Sequence, residues 1–150
     1  MIAKNQKYTV TIENTTVDGY GVCRIEGRAV FVPGSLEGES WDILILKVTN
    51  TAVWAKGIRC RAPSPERMDN DCPNLCGGCL FRHVAYAAEL AAKRKHVEDC
   101  LRRIGNQNLE AVSIHPSPSS LRYRNKAVFA VGNLDGNAVF GFYRPRCVRG

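Results

Sequence analysis

The sequence predicts a mainly β protein with one long helix, in which a small five-stranded barrel precedes a cysteine-rich loop, the helix and a β-hairpin. Three observations carry this expectation. Residues 1–58 fall into short apolar stretches separated by turn residues, with no helical period among them. From about Val84 to Ile104 the composition shifts to Ala, Leu, Glu and Lys, with apolar residues at heptad-like spacing. Two further strand-like stretches then flank Asp135-Gly136-Asn137, a tight-turn sequence.

Taken in order, "KYTVTIE" (7–13) alternates, placing Tyr8, Val10 and Ile12 on one face. "GYGVCRI" (19–25) and "RAVFVPG" (28–34) are joined by Glu26-Gly27, a pair suited to a two-residue hairpin. "SWDILILKV" (40–48) and "AVWAKGI" (52–58) follow, with Asn50-Thr51 between them. Five strands in fewer than sixty residues suit a closed or partly open barrel. Asp18-Gly19 and Gly21 read as turn or bulge positions, and Pro33-Gly34 as a strand end. "RCRAPSPERMDND" (59–71), with two prolines and mixed charge, reads as a linker, and residues 72–150 as a second region. In that region Leu90, Val97, Leu101 and Ile104 form a packing stripe, with Gly105 as the helix stop. "HPSPSS" (115–120) breaks the chain before "KAVFAVG" (126–132) and "NAVFGFYR" (137–144) pair as a hairpin.

The net charge of +7 is unevenly placed. Residues 1–58 carry six basic and six acidic residues, whereas 59–150 carry fifteen and eight. A basic excess of this kind favours a polyanion such as RNA. The N-terminal "MIAKNQKYTV" has no apolar core of signal-peptide length, and no apolar run approaches a membrane span. The expectation is a cytoplasmic monomer with no membrane partner.

Seven cysteines, an odd number without a secretory signal, argue against a disulfide framework. Cys23, Cys60 and Cys100 are isolated and read as small core or surface residues. "CPNLCGGCLFRH" (72–83) is different: Cys72, Cys76 and Cys79 lie within eight residues, and thiolates so close suit zinc or an iron–sulfur cluster. Gly77 and Gly78 let the backbone wrap a cofactor and donate N–H groups to sulfur. The spacing is also that of radical S-adenosylmethionine enzymes. Those enzymes carry an aromatic residue before the last cysteine, where this chain has Gly78. They also need repeated strand–helix units, whereas one helix and a hairpin follow here. Radical chemistry is therefore not expected. His83, four positions after Cys79, would complete a Cys3His zinc site, so spacing leaves zinc and iron–sulfur both open.

Four stretches together resemble the N-terminal part of the RNA uracil-5-methyltransferases, especially the 23S ribosomal RNA branch. "DGYGVCRIEGRAVFVPGSLEGE" (18–39) resembles the glycine, "FVPG" and "GE" signature of the TRAM domain, and "SPER" (64–67) the family's linker. "CPNLCGGCLFRHVAYAAELAAKRKHVEDCLRRIG" (72–105) resembles its cysteine motif and following helix. "YRNKAVF" (123–129) with "GFYR" (141–144) resembles the start of its central β domain. The resemblance implies an OB-like TRAM β-barrel that binds RNA, followed by the start of an α+β central domain holding a [4Fe–4S] cluster. Cys72, Cys76 and Cys79 match the first three cluster ligands, which favours iron–sulfur over zinc.

Three departures stand out. The family usually places five residues between its first two cysteines, and here there are three; Arg82 stands where glutamine is common; and Cys147 lies closer to "GFYR" than the family's fourth ligand, so it reads as a free thiol, with a substitute ligand as the alternative. Family members methylate C5 of uracil from S-adenosylmethionine, using a C-terminal cofactor-binding domain and a cysteine nucleophile that adds to C6. No glycine-rich cofactor loop and no thiolate beside a base is present, so no residue is assigned a catalytic role. The expectation is a truncated or partial chain, inactive alone. The alternative is a stand-alone TRAM-type RNA-binding protein with a structural zinc or iron–sulfur site. Ribosomal RNA is favoured as partner over transfer RNA.

Candidate RNA contacts follow from basic residues interleaved with aromatics, which suits unpaired bases. They are Arg122, Tyr123, Arg124 and Lys126 of "RYRNK", and Arg144 and Arg146 of "YRPR". On the barrel Arg24 and Arg28 join them, with Tyr20 and Phe31 as candidate stacking rings (Phe31 reads equally as core), and Arg82 beside the cysteines. "KRK" (93–95) reads as a solvated helix face.

Overall fold

The computed structural model describes residues 1–69, 78–108 and 112–142. Six strand segments, β1 (Lys7–Thr11), β2 (Asn14–Thr15), β3 (Tyr20–Ile25), β4 (Arg28–Pro33), β5 (Ser40–Val48) and β6 (Val53–Ala62), form one sheet in the order β1-β5-β6-β4-β3-β2. β1 and β2 are consecutive in the chain yet occupy opposite edges, so this one bent stretch closes the sheet on itself. Across the bend, Ile12 donates its N–H to the Glu39 carbonyl and Glu13 to the Val22 carbonyl, both at 2.8 Å. Counted that way the barrel has the five strands expected from the sequence. Full closure leaves no long edge open to another chain.

Inward positions of β3, β4, β5 and β6, with Ile2 and Ile12 on either side of β1, build the core: Ile2, Ile12, Cys23, Val30, Val32, Ile43, Ile45, Val53 and Ala55. Cys23 is 1% exposed, and burial, helped by Glu13, pushes its thiol up to about 11, as suits a small core residue. The β3–β4 hairpin turns on Glu26 (φ 48°) and Gly27 (φ 75°), both left-handed, as the mirror-image turn between twisted strands requires. Gly21, read from sequence as a turn or bulge, is instead a close approach in regular pairing: a Cβ there would lie 2.0 Å from Ser35 Oγ. β6 runs through Ala62, four residues into the segment read as a linker.

Beyond the barrel, α1 (Tyr86–Arg103) is the expected helix. Its chain turns away at Asn106, in the left-handed region at φ 49°, rather than at Gly105. Lys95 Nζ reaches Glu37 Oε2 on the barrel at 3.0 Å. An open groove of about 750 Å3 lies between helix and barrel, lined by Val22, Leu36, Phe81, Val84, Ala88 and Lys95 among others. β7 (Ala130–Leu134) and β8 (Asn137–Gly141) pair as the expected hairpin, turning on Asp135 (φ 50°) and Gly136 (φ 83°). Among the described residues, no helix is long and apolar enough to cross a membrane.

Candidate nucleic-acid interface and cysteine loop

Glu39 ends the Gly38-Glu39 turn before β5, and its carboxylate is wholly buried. A buried charge must be paired and hydrogen-bonded to persist. Arg67 supplies the pairing, with Nε at 2.5 Å from Oε1 and Nη2 at 2.7 Å from Oε2. Trp41 Nε1, the Leu36 N–H and the Ser64 N–H donate to the same carboxylate at 2.7, 2.8 and 3.1 Å. Burial alone would raise the Glu39 pKa; the hydrogen bonds, led by Arg67, outweigh it and hold it at about 2. Arg67 also donates to the Gly34 carbonyl at 2.7 Å, and its guanidinium lies 5.4 Å from the Trp41 ring centre. The "GE" and "SPER" stretches, well separated in sequence, therefore form one contact.

That contact fixes the base of the cysteine loop. Arg67 bridges to Val84 in antiparallel fashion; the Met68 N–H donates to the His83 carbonyl and the Ala85 N–H to the Glu66 carbonyl, both at 2.9 Å. The loop thus leaves the barrel at Arg67 and returns at Val84. Cys79 is an exposed free thiol within it, while Cys72 and Cys76 lie outside the described residues. Among the described residues no three cysteine, histidine or acidic side chains converge. His83 Nε2 is buried with no hydrogen-bond partner among the described residues. Burial, with Arg67 nearby, lowers its pKa. Cys60, half-buried, has its thiol pKa raised by burial and by Glu39.

The sequence-derived RNA candidates lie in three places. On the barrel, Arg24 is exposed and 3.7 Å from Glu13, whereas Arg28 is half-buried and donates to the Thr49 carbonyl, clamping the β5–β6 turn. Arg82 is half-buried beside His83. Arg122, Tyr123, Arg124 and Lys126 lie exposed on an irregular segment, with the Arg124 guanidinium 5.9 Å from the Tyr123 ring centre. Arg144 and Arg146, with Cys147, lie outside the described residues.

The structure adds Trp54, which was not anticipated, to the candidates Tyr20 and Phe31. Trp54 on β6 stacks on Phe31 of β4, ring centres 5.0 Å apart and 28° between planes, and meets Tyr20 of β3 edge-on at 5.4 Å. Alternation along "RAVFVPG" and "AVWAKGI" was the available signal, since Phe31 and Trp54 each sit between buried residues and must face outward.

A closed β-barrel with a first strand bent across both edges and a buried Glu39 at its "GE" turn defines the class, a small barrel module: residues 3–56 match the TRAM domain. The whole chain is 39% identical to an uncharacterized RNA methyltransferase of Halalkalibacterium halodurans, covering 99% of this chain and 33% of that protein. It is 38% identical to one of Bacillus cereus, covering 95% and 32%. A solved tRNA (uracil-54, C5)-methyltransferase of Pyrococcus abyssi, in complex with S-adenosyl-L-homocysteine, matches at 25% identity. It covers 74% of this chain and 24% of that one, with a TM-score of 0.48. The chain carries a TRAM domain and is similar along nearly its whole length to part of proteins named RNA methyltransferases. It spans about a third of the length of the relatives it matches.

Proposed function

We propose that this chain is the RNA-recognising and [4Fe–4S]-holding part of an S-adenosylmethionine-dependent RNA uracil-C5 methyltransferase, acting on 23S ribosomal RNA. Kinship with RNA methyltransferases along the whole chain supports the enzyme class. The observation that carries the division of labour is the Glu39–Arg67 pair, which roots the cysteine loop on the TRAM barrel. A metal centre in that loop would brace an RNA-binding surface.

The donor set suits a soft metal: a free, exposed Cys79 lies on a loop whose two ends are hydrogen-bonded together. Cys72, Cys76 and Cys79 would hold the cluster, whose iron and sulfide supply a compact cross-link. S-adenosylmethionine supplies the methyl group when bound, and the resemblance assigns its binding to a domain outside these 150 residues. The residues present bind and orient RNA; none of them acts on the base. Deleting the gene and mapping 5-methyluridine in ribosomal and transfer RNA tests the proposal. Loss of a 5-methyluridine from 23S RNA is the expected result, and unchanged 5-methyluridine in both RNAs refutes it.

A second reading, a stand-alone RNA-binding protein with zinc, is favoured by one observation. His83 Nε2 is buried with no partner among the described residues, and burial lowers its pKa, which favours the neutral imidazole that ligates zinc. Zinc rather than iron in the isolated protein would select it.

A further inference from the structure

We propose that the outer face of β3, β4 and β6 is a stacking site for unpaired RNA bases, with Trp54 at its centre and Tyr20 and Phe31 beside it. This rests on the RNA-binding reading above and locates it on the barrel. β4 and β6 run parallel with Phe31 opposite Trp54, and Tyr20 lies two positions before Val22, the β3 partner of Phe31. The core is filled from the other face by Val30, Val32, Val53 and Ala55, so the three rings are not needed to complete it. Each ring is half-buried, leaving aromatic surface open to a flat ligand.

The charge around the rings suits an RNA strand. Lys47 is the β5 register partner of Trp54, and Lys56 lies two residues beyond Trp54 on the same face; both are exposed. Although residues 1–58 are neutral overall, five of their six acids are engaged elsewhere: Glu13 with Arg24, Glu26 with the N-terminus, Glu37 with Lys95, Glu39 with Arg67 and Asp42 with Arg61. Asp18, exposed on the loop before β3, is the sixth. Lys47 and Lys56 make no ion pair among the described residues, so the aromatic face carries positive charge that the overall balance conceals. Aromatic faces with adjacent lysines are how sequence-tolerant proteins hold single strands, rings under bases and cations on phosphates.

The test labels both tryptophans of the 150-residue chain with 5-fluorotryptophan and titrates it with a single-stranded uridine oligonucleotide and with an abasic strand of equal length. The fluorine resonance of Trp54 should move with the uridine strand and move less with the abasic one. Trp41, covered by Arg67, should stay in place. Trp54→Leu should weaken uridine-strand binding about tenfold while leaving its salt dependence unchanged, and Lys47→Gln with Lys56→Gln should flatten the salt dependence. Binding without movement of the Trp54 resonance overturns this site alone. Absence of any binding by the wild-type chain overturns the RNA reading with it.

Discussion

Arg67 lies against the wholly buried carboxylate of Glu39 with two charge-assisted hydrogen bonds, and the same guanidinium covers the Trp41 ring. One contact therefore joins the turn before β5, the segment after β6 and the base of the cysteine loop. Removing one partner of such a pair leaves an unpaired buried charge, which costs about 3–5 kcal/mol. Arg67→Met should lower stability by that amount in urea unfolding. It should also speed hydrogen exchange at the Met68 and Ala85 amides, which close the loop base.

Acid should find the same pair. Glu39 has its pKa lowered from 4.5 to about 2 in the folded chain, so its stabilisation is complete above pH 4.5 and is lost as pH falls through about 2. The shift corresponds to about 3 kcal/mol. Unfolding measured between pH 5 and 2 should show this loss, and Glu39→Gln should remove it from that window while lowering stability at neutral pH.

Gly21 and Gly27 should respond differently to alanine. A Cβ on Gly21 collides with Ser35 Oγ at 2.0 Å and Ile12 Cγ2 at 2.9 Å, so Gly21→Ala should cost about 1–3 kcal/mol through overpacking. Gly27 has open space but φ 75°, so Gly27→Ala should cost about 1 kcal/mol through backbone strain alone. Thermal unfolding of the two variants checks the order.

Neutralising Arg122, Arg124 and Lys126 together should weaken RNA binding. Three lost phosphate contacts on a single strand should lower the slope of log affinity against log salt by about 2. An unchanged slope would mean that this exposed segment does not meet the RNA backbone.

Local signals were legible in the sequence. Glu26-Gly27 and Asp135-Gly136 announced their hairpins because few residues adopt left-handed φ, and the shift to Ala, Leu, Glu and Lys announced α1. Features that depend on distant pairing were not legible. That β1 and β2 occupy opposite edges follows from Ile12 and Glu13 bonding to Glu39 and Val22, partners far apart in sequence. Alternation signals that Phe31 and Trp54 face outward, but their meeting depends on the parallel β4–β6 pairing, which no local pattern encodes. Glu39 and Arg67 stood in the "GE" and "SPER" stretches, but their pairing was not legible, since burial is a property of the closed barrel. Cys79 is placed on the loop rooted at Arg67 and Val84, while Cys72 and Cys76 lie outside the described residues.

The claim that this rooted loop holds a [4Fe–4S] cluster on an RNA-binding barrel is tested most directly by anaerobic purification with iron, sulfide and zinc analysis and a visible spectrum. The account predicts about four iron and four sulfide per chain with broad absorbance near 400 nm, both lost in Cys79→Ser. One zinc per chain, with no iron and a featureless visible spectrum, would contradict it.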